Sequence, residues 1–124
     1  MVALGAKVAG VMGNADVVAR LRTAGDATNE RVWELPLWDD EYGKMIDSDV
    51  ADMKNIGGRL AGAITGAQFI QRFVNDVPWA HLDIAGPSRA PADSGYTPKG
   101  GTGFATRTLI ELARSYTPPK RTRG

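Results

Sequence analysis

With 124 residues, 43% hydrophobic and 23% charged, the chain has the composition of one soluble domain that can bury roughly two-thirds of its unfolded surface. A net charge of +1 gives no reason to expect nucleic acid or an anionic membrane as a partner, and no apolar run is long enough to span a bilayer. The absence of cysteine excludes disulfides, thiolate metal sites and a cysteine nucleophile, and the N-terminus carries no export signal, so a cytoplasmic location is expected.

Met1-Val2-Ala3-Leu4-Gly5 opens directly in apolar sequence. An unpaired apolar edge invites aggregation, so this start suggests a piece of something longer. Residues 2–13 read as a short strand and tight turn. Asn14 is expected to cap a helix, with Asp16 in its first turn. Val17, Val18, Leu21 and Ala24 recur at helical spacing, and Gly25 marks an end or a break. Arg31 to Trp38 reads as extended, with Pro36 keeping it from a central position in a sheet. Its tryptophans, Trp33 and Trp38, are expected to pack on a neighbouring element. Asp39-Asp40-Glu41 places acid at the start of a helix through Met45 and Ile46. After a turn at Asn55-Ile56-Gly57-Gly58, an apolar stripe of Leu60, Ala63, Ile64, Ala67, Ile70 and Val74 predicts a helix from Arg59. Gly62 and Gly66 would let that helix lie close to a sheet or another helix.

The stretch from Trp79 to Gly86 then alternates as a strand, with Ala80, Leu82 and Ile84 on one side and Trp79, His81, Asp83 and Ala85 on the other. Pro78 and Gly86-Pro87 mark its ends. A Gly/Pro-rich loop follows over residues 86–103, of a length that implies function or disorder. The Met1 end and residues 87–101 are expected to be the least ordered parts. Thr102 is expected to cap a last helix carrying Phe104, Thr108, Leu109 and Leu112. Residues 117–124 read as a disordered basic tail, a solvated end before it is an electrostatic contact.

Few residues suggest chemistry. His81 and Asp83 share a strand face and read either as a catalytic or metal pair or as a buried polar pair satisfied by neighbouring backbone. With no second histidine, the second reading is preferred. Asp47, Asp49 and Asp52 fail the calcium-loop spacing and fit helix-end solvation or a subunit contact better. Gly57-Gly58 and Gly100-Gly101-x-Gly103 lack the order a phosphate loop needs, leaving Lys99 as a weak anion contact at best. No Gly-x-Ser-x-Gly elbow surrounds Ser48, Ser88, Ser94 or Ser115. No catalytic set emerges.

Four stretches together resemble one family. Arg31-Val-Trp-Glu-Leu-Pro-Leu37, Ser48-Asp-Val-Ala-Asp-Met-Lys-Asn-Ile-Gly-Gly58, Trp79-Ala-His-Leu-Asp-Ile-Ala-Gly86 and Lys99-Gly-Gly-Thr-Gly103 are similar, in order and spacing, to the leucyl aminopeptidase (cytosol aminopeptidase) family. The likeness runs from about Val2 to Leu112. It implies an α/β fold, the C-terminal portion of an α/β/α sandwich around a mixed sheet, with residues 1–116 forming part of the catalytic domain. It also implies a cytoplasmic hexamer that removes N-terminal residues from peptides with two divalent metal ions, zinc or manganese.

The family's signature Asn-Thr-Asp-Ala-Glu-Gly-Arg-Leu is absent from this sequence, as is the Thr-Leu-Thr-Gly stretch that lines its substrate site. By the resemblance, its metal ligands, catalytic arginine and second lysine fall before Val2. No catalytic residue or bound metal is therefore expected in this chain, and alone it is expected to be inactive. The resemblance carries over a substrate-pocket role to Ile56, on the leaving-residue side, and to Ala85, in the pocket for the N-terminal side chain. It does so also to Ser88, where relatives can hold a large apolar residue. It makes Asp47, Asp49 and Asp52 a non-metal segment. The competing expectation is a non-enzymatic oligomerisation or binding module.

Overall fold

A five-residue strand, β1 (Ala9–Gly13), forms the middle of the molecule in the computed structural model, which describes residues 3–117. Ala9 to Met12 are buried, as a strand covered on both faces requires. Helix α1 (Ala15–Thr28) carries the chain back, so that β2 (Val32–Glu34) pairs with β1 in parallel. A short helix, α2 (Asp39–Tyr42), runs into a single 3₁₀ turn (Gly43–Ile46), and α3 spans Gly62–Gln71. β3 (Ala80–Asp83) returns antiparallel on the other side of β1. The resulting mixed sheet, β2-β1-β3, has the α/β character expected.

Period-two alternation sorts the two cores. Val11 meets Leu82 across the ladder, and with Val18 and Leu21 of α1 they close one face, joined by Ala80 and Leu112. Met12 packs on the opposite face with Ile64 and Ala67 of α3, flanked by Trp79, Leu35 and Tyr42. Two two-residue strands, β4 (Arg89–Ala90) and β5 (Gly100–Gly101), form a separate antiparallel ribbon, and α4 (Thr106–Ser115) covers the first face beside α1. Among the described residues no helix is long and apolar enough to cross a membrane.

Several local expectations change. Asn14 stands at the cap position of α1, but its side-chain oxygen accepts the Trp79 N–H at 2.8 Å and its own N–H donates to the Trp79 carbonyl, tying the start of α1 to β3. Gly25 does not end α1. It lies buried under the Glu30 carbonyl, and the helix closes at Asn29, whose left-handed φ of 57° is one asparagine tolerates. Trp33 and Trp38 are each 62% exposed rather than packed away, although Trp38 stacks on Tyr42. Helix α3 starts at Gly62, three residues later than the stripe predicts, after Ala61 in the left-handed region. Of that stripe Ile64 and Ala67 are buried, whereas Leu60 is 76% exposed and Ile70 is also exposed, because Thr65 and Gln68 face inward instead. A Cβ at Gly62 or Gly66 would meet nothing within 4 Å, so neither glycine serves a close approach here. Residues 87–101 are organised by the β4–β5 ribbon and a Ser94–Thr97 bridge, not left as an open loop. Residues 1–2 and 118–124, including most of the expected tail, lie outside the described residues.

Candidate functional site

The end of β3 is held on every side. Asp83 Oδ1 accepts the Ala85 N–H at 3.0 Å, and the Ser88 N–H donates to the Ile84 carbonyl at 2.9 Å, closing a tight turn over residues 84–88. Gly86 is buried against the Gly5 carbonyl, where any Cβ would collide with backbone, so the turn admits no side chain at that point. From the far side, Thr102 Oγ1 donates to the Pro87 carbonyl at 2.6 Å and the Thr102 N–H to the Ser88 carbonyl at 3.0 Å. Thr102 is therefore not the cap of α4, whose N-cap is Ala105.

Beside this turn lies a cavity of about 420 Å³, within the range typical of small-molecule sites. Its walls are mainly apolar, with Leu4, Val8, Leu35, Leu60 and Ile64 supplying the side chains and Arg59 and Asp83 the charges. Gly10 contributes backbone, and a Cβ there would press on Leu35. The three residues singled out from the sequence flank these walls without belonging to them. Ile56, 74% exposed, precedes the Arg59–Ile64 wall by three residues. Ala85 is exposed on the turn between Asp83 and Gly86, and Ser88 is half-buried just beyond.

His81 and Asp83 do share a face, opposite Met12 and Gly10 in the ladder. Burial pushes the His81 pKa below its ordinary value, and the nearby Asp83 charge only partly offsets that shift. Among the described residues no three His, Asp or Glu side chains are placed to hold a metal ion. The donor set here does not fit a two-metal centre. Of the acidic triplet, Asp47 accepts a 2.7 Å bond from Arg72, which also donates to the Gly43 carbonyl, binding α3 to the 3₁₀ turn. Gly57 packs against Thr65, and Gly100 and Gly101 are β5, so neither glycine pair cradles a phosphate. The Lys99 N–H is taken by the Asp93 carboxylate, a poor neighbour for an anion.

One organising residue is not evident in the sequence. Glu30, 4% exposed, accepts the Thr108 N–H at 2.9 Å, the Thr108 hydroxyl at 2.7 Å and Arg107 Nε at 3.2 Å. Burial raises its pKa, but the Thr108 and Arg107 contacts outweigh it and hold the carboxyl below the ordinary value of 4.5. Its position just past α1, facing the first turn of α4, is a long-range pairing that no local pattern announces.

The model of the cytosol aminopeptidase family, catalytic domain, matches residues 1–110. The chain is 56% identical over 116 residues to a probable cytosol aminopeptidase of Geobacter sulfurreducens, covering 93% of this chain and 23% of that protein. It is 52% identical over 122 residues to a probable cytosol aminopeptidase of Nitrobacter winogradskyi, covering 98% and 24%. Among solved structures, the bottromycin maturation enzyme BotP in complex with Mn superposes with a TM-score of 0.83 at 40% identity, over 90% of this chain and 25% of that one. The chain belongs to the cytosol aminopeptidase family, and it spans less than a quarter of the length of these curated relatives.

Proposed function

We propose that this chain supplies part of the substrate pocket of a metal-dependent leucyl aminopeptidase, which hydrolyses N-terminal residues from peptides. The carrying observation is the hydrogen-bonded 84–88 turn set against an apolar cavity of about 420 Å³, in a chain of this family. Ala85 and Ser88, beside the cavity on the turn that lines it through Asp83 and Gly86, would extend it toward the N-terminal side chain of the substrate, and Ile56 toward the leaving-residue side. Leu60 and Leu35 would give that pocket its apolar character, which suits a leucine side chain. The two divalent metals, zinc or manganese, would be held by other parts of the complete enzyme, a reading supported by the lack of any group of three His, Asp or Glu side chains suited to a metal ion among the described residues. The chain by itself is accordingly inactive. Exposed apolar residues such as Trp33, Trp38 and Phe73 fit subunit contacts in a homo-oligomer, a hexamer in the family. A cytoplasmic location agrees with the family's description as cytosol aminopeptidases.

The test joins the full chain to the preceding part of the Geobacter sulfurreducens relative, in place of that protein's matching segment. Metal-dependent turnover of leucine anilide is expected from the fusion and none from the chain alone. Turnover by the purified chain with manganese or zinc would refute its inactivity. A folded, metal-loaded fusion without activity would refute the pocket assignment. Size-exclusion chromatography checks assembly, and a fusion that runs as a clean monomer counts against the subunit contacts.

A further inference from the structure

We propose that Thr102 is a positioning residue for the substrate site, the clamp that fixes the 84–88 turn relative to α4 and so sets where Ala85 and Ser88 stand. The inference rests on the reading of that turn as a pocket wall. Three hydrogen bonds converge on this one residue. Its hydroxyl donates to the Pro87 carbonyl at 2.6 Å and accepts the Phe104 N–H at 3.2 Å, and its backbone N–H donates to the Ser88 carbonyl at 3.0 Å. A hydroxyl has one proton and two acceptor lone pairs, so it can serve both neighbours at once. Valine has the same shape and can serve neither.

The placement gives the clamp its reach. The Thr102–Ser88 bond adds one more rung to the β4–β5 ribbon, next to the Arg89–Gly101 pair. Beyond Thr102 the chain passes Phe104 and turns through Ala105, at a left-handed φ of 75°, into α4. That helix is anchored at its first turn, where buried Glu30 accepts both the amide and the hydroxyl of Thr108. The fixed position of α4 is thereby transmitted through Thr102 to Pro87 and Ser88. At the other end of the turn the Asp83–Ala85 bond, the Ser88–Ile84 bond and the Gly5–Gly86 contact act. Pro87 is buried, so a carbonyl stripped of its hydroxyl donor is poorly solvated and the turn relaxes to find another partner.

The experiment compares Thr102→Val and Thr102→Ser in two settings: amide hydrogen exchange on the full chain, and leucine anilide kinetics in the active fusion. Thr102→Val is expected to speed exchange at Ser88 and Phe104 and to raise KM roughly tenfold with kcat little changed, since the wall positions substrate without touching the chemistry. Thr102→Ser, which keeps the hydroxyl, is expected to restore KM to within about twofold. Unchanged exchange in Thr102→Val overturns the clamp whatever the kinetics show. Faster exchange with unchanged KM overturns the proposal at its base, because the turn then moves without the substrate site noticing. Failure of Thr102→Ser to restore KM, or an equal loss in kcat, reduces Thr102 to a merely structural residue.

Discussion

On one face of the sheet Val11, Val18 and Leu21 close beneath α1 and α4, and Glu30 locks the two helices together through Thr108. On the other, Met12, Ile64 and Ala67 pack beside a cavity of about 420 Å³, with Leu60 standing largely in solvent at its wall. The same three strands underlie both faces. The difference lies in what covers them: two long helices on one side, and on the other α3 with the short α2, its 3₁₀ turn and the irregular 47–61 segment. The closed face is expected to bear the larger share of this chain's stability, whereas the open face carries the proposed site. A pocket wall must offer apolar surface that its own chain does not bury, so the two roles fall on opposite sides.

The largest effect that could break this contrast is expected at Leu21, which is buried in the closed face. Leu21→Ala should lower stability by about 2–5 kcal/mol in urea unfolding. A loss under about 1 kcal/mol would show that this face is not the stabilising one. Next comes Glu30→Gln, which keeps the shape but loses the charge, and about 1–3 kcal/mol is expected at neutral pH. The sign with pH follows from the direction of its shift. The folded carboxyl titrates below its ordinary 4.5, so its contribution is present above that value and is lost as pH falls beneath it toward the folded pKa. Unfolding measured in that acid range should steepen for the native chain and flatten in Glu30→Gln; parallel curves would remove Glu30 as the lock.

A smaller dependence is expected from His81 on the open face. Its folded pKa lies below the ordinary 6.5, so the unfolded chain takes up the proton first. Stability should therefore decline as pH falls through 6.5 and level off below the folded pKa, and His81→Asn should remove that decline. The smallest effect belongs to Leu60→Ser, expected to change stability by no more than about 0.5 kcal/mol. A cost above about 1 kcal/mol would mean that Leu60 is packed in solution and the second face is closed after all.

Periodicity made much of this fold legible. Val18 and Leu21 on α1, Ile64 and Ala67 on α3, and the alternation through Ala80 and Leu82 all point inward as their spacing requires. Helix starts were harder to read. The apolar stripe at Leu60 continues past the true N-terminus of α3, because the left-handed Ala61 interrupts a helix that composition alone would extend. Thr102 has the chemistry of a cap yet spends its hydroxyl on Pro87, fifteen residues earlier in the chain. Asn14 similarly spends its carboxamide on Trp79. In each case a side chain able to bond locally found a better-placed partner across the fold.

The sequence by itself determined the α/β alternation, the central apolar strand, and through four stretches in register the family to which the chain belongs. Those features are local or linear, and hydrophobic periodicity or residue order is enough to record them. Only the tertiary structure decided that Glu30 is buried against Thr108, that Thr102 ties the 84–88 turn to α4, and which face of the sheet is left with a cavity. Such outcomes depend on which distant groups meet once the chain has closed, and a buried polar group is placed by the partner that satisfies it.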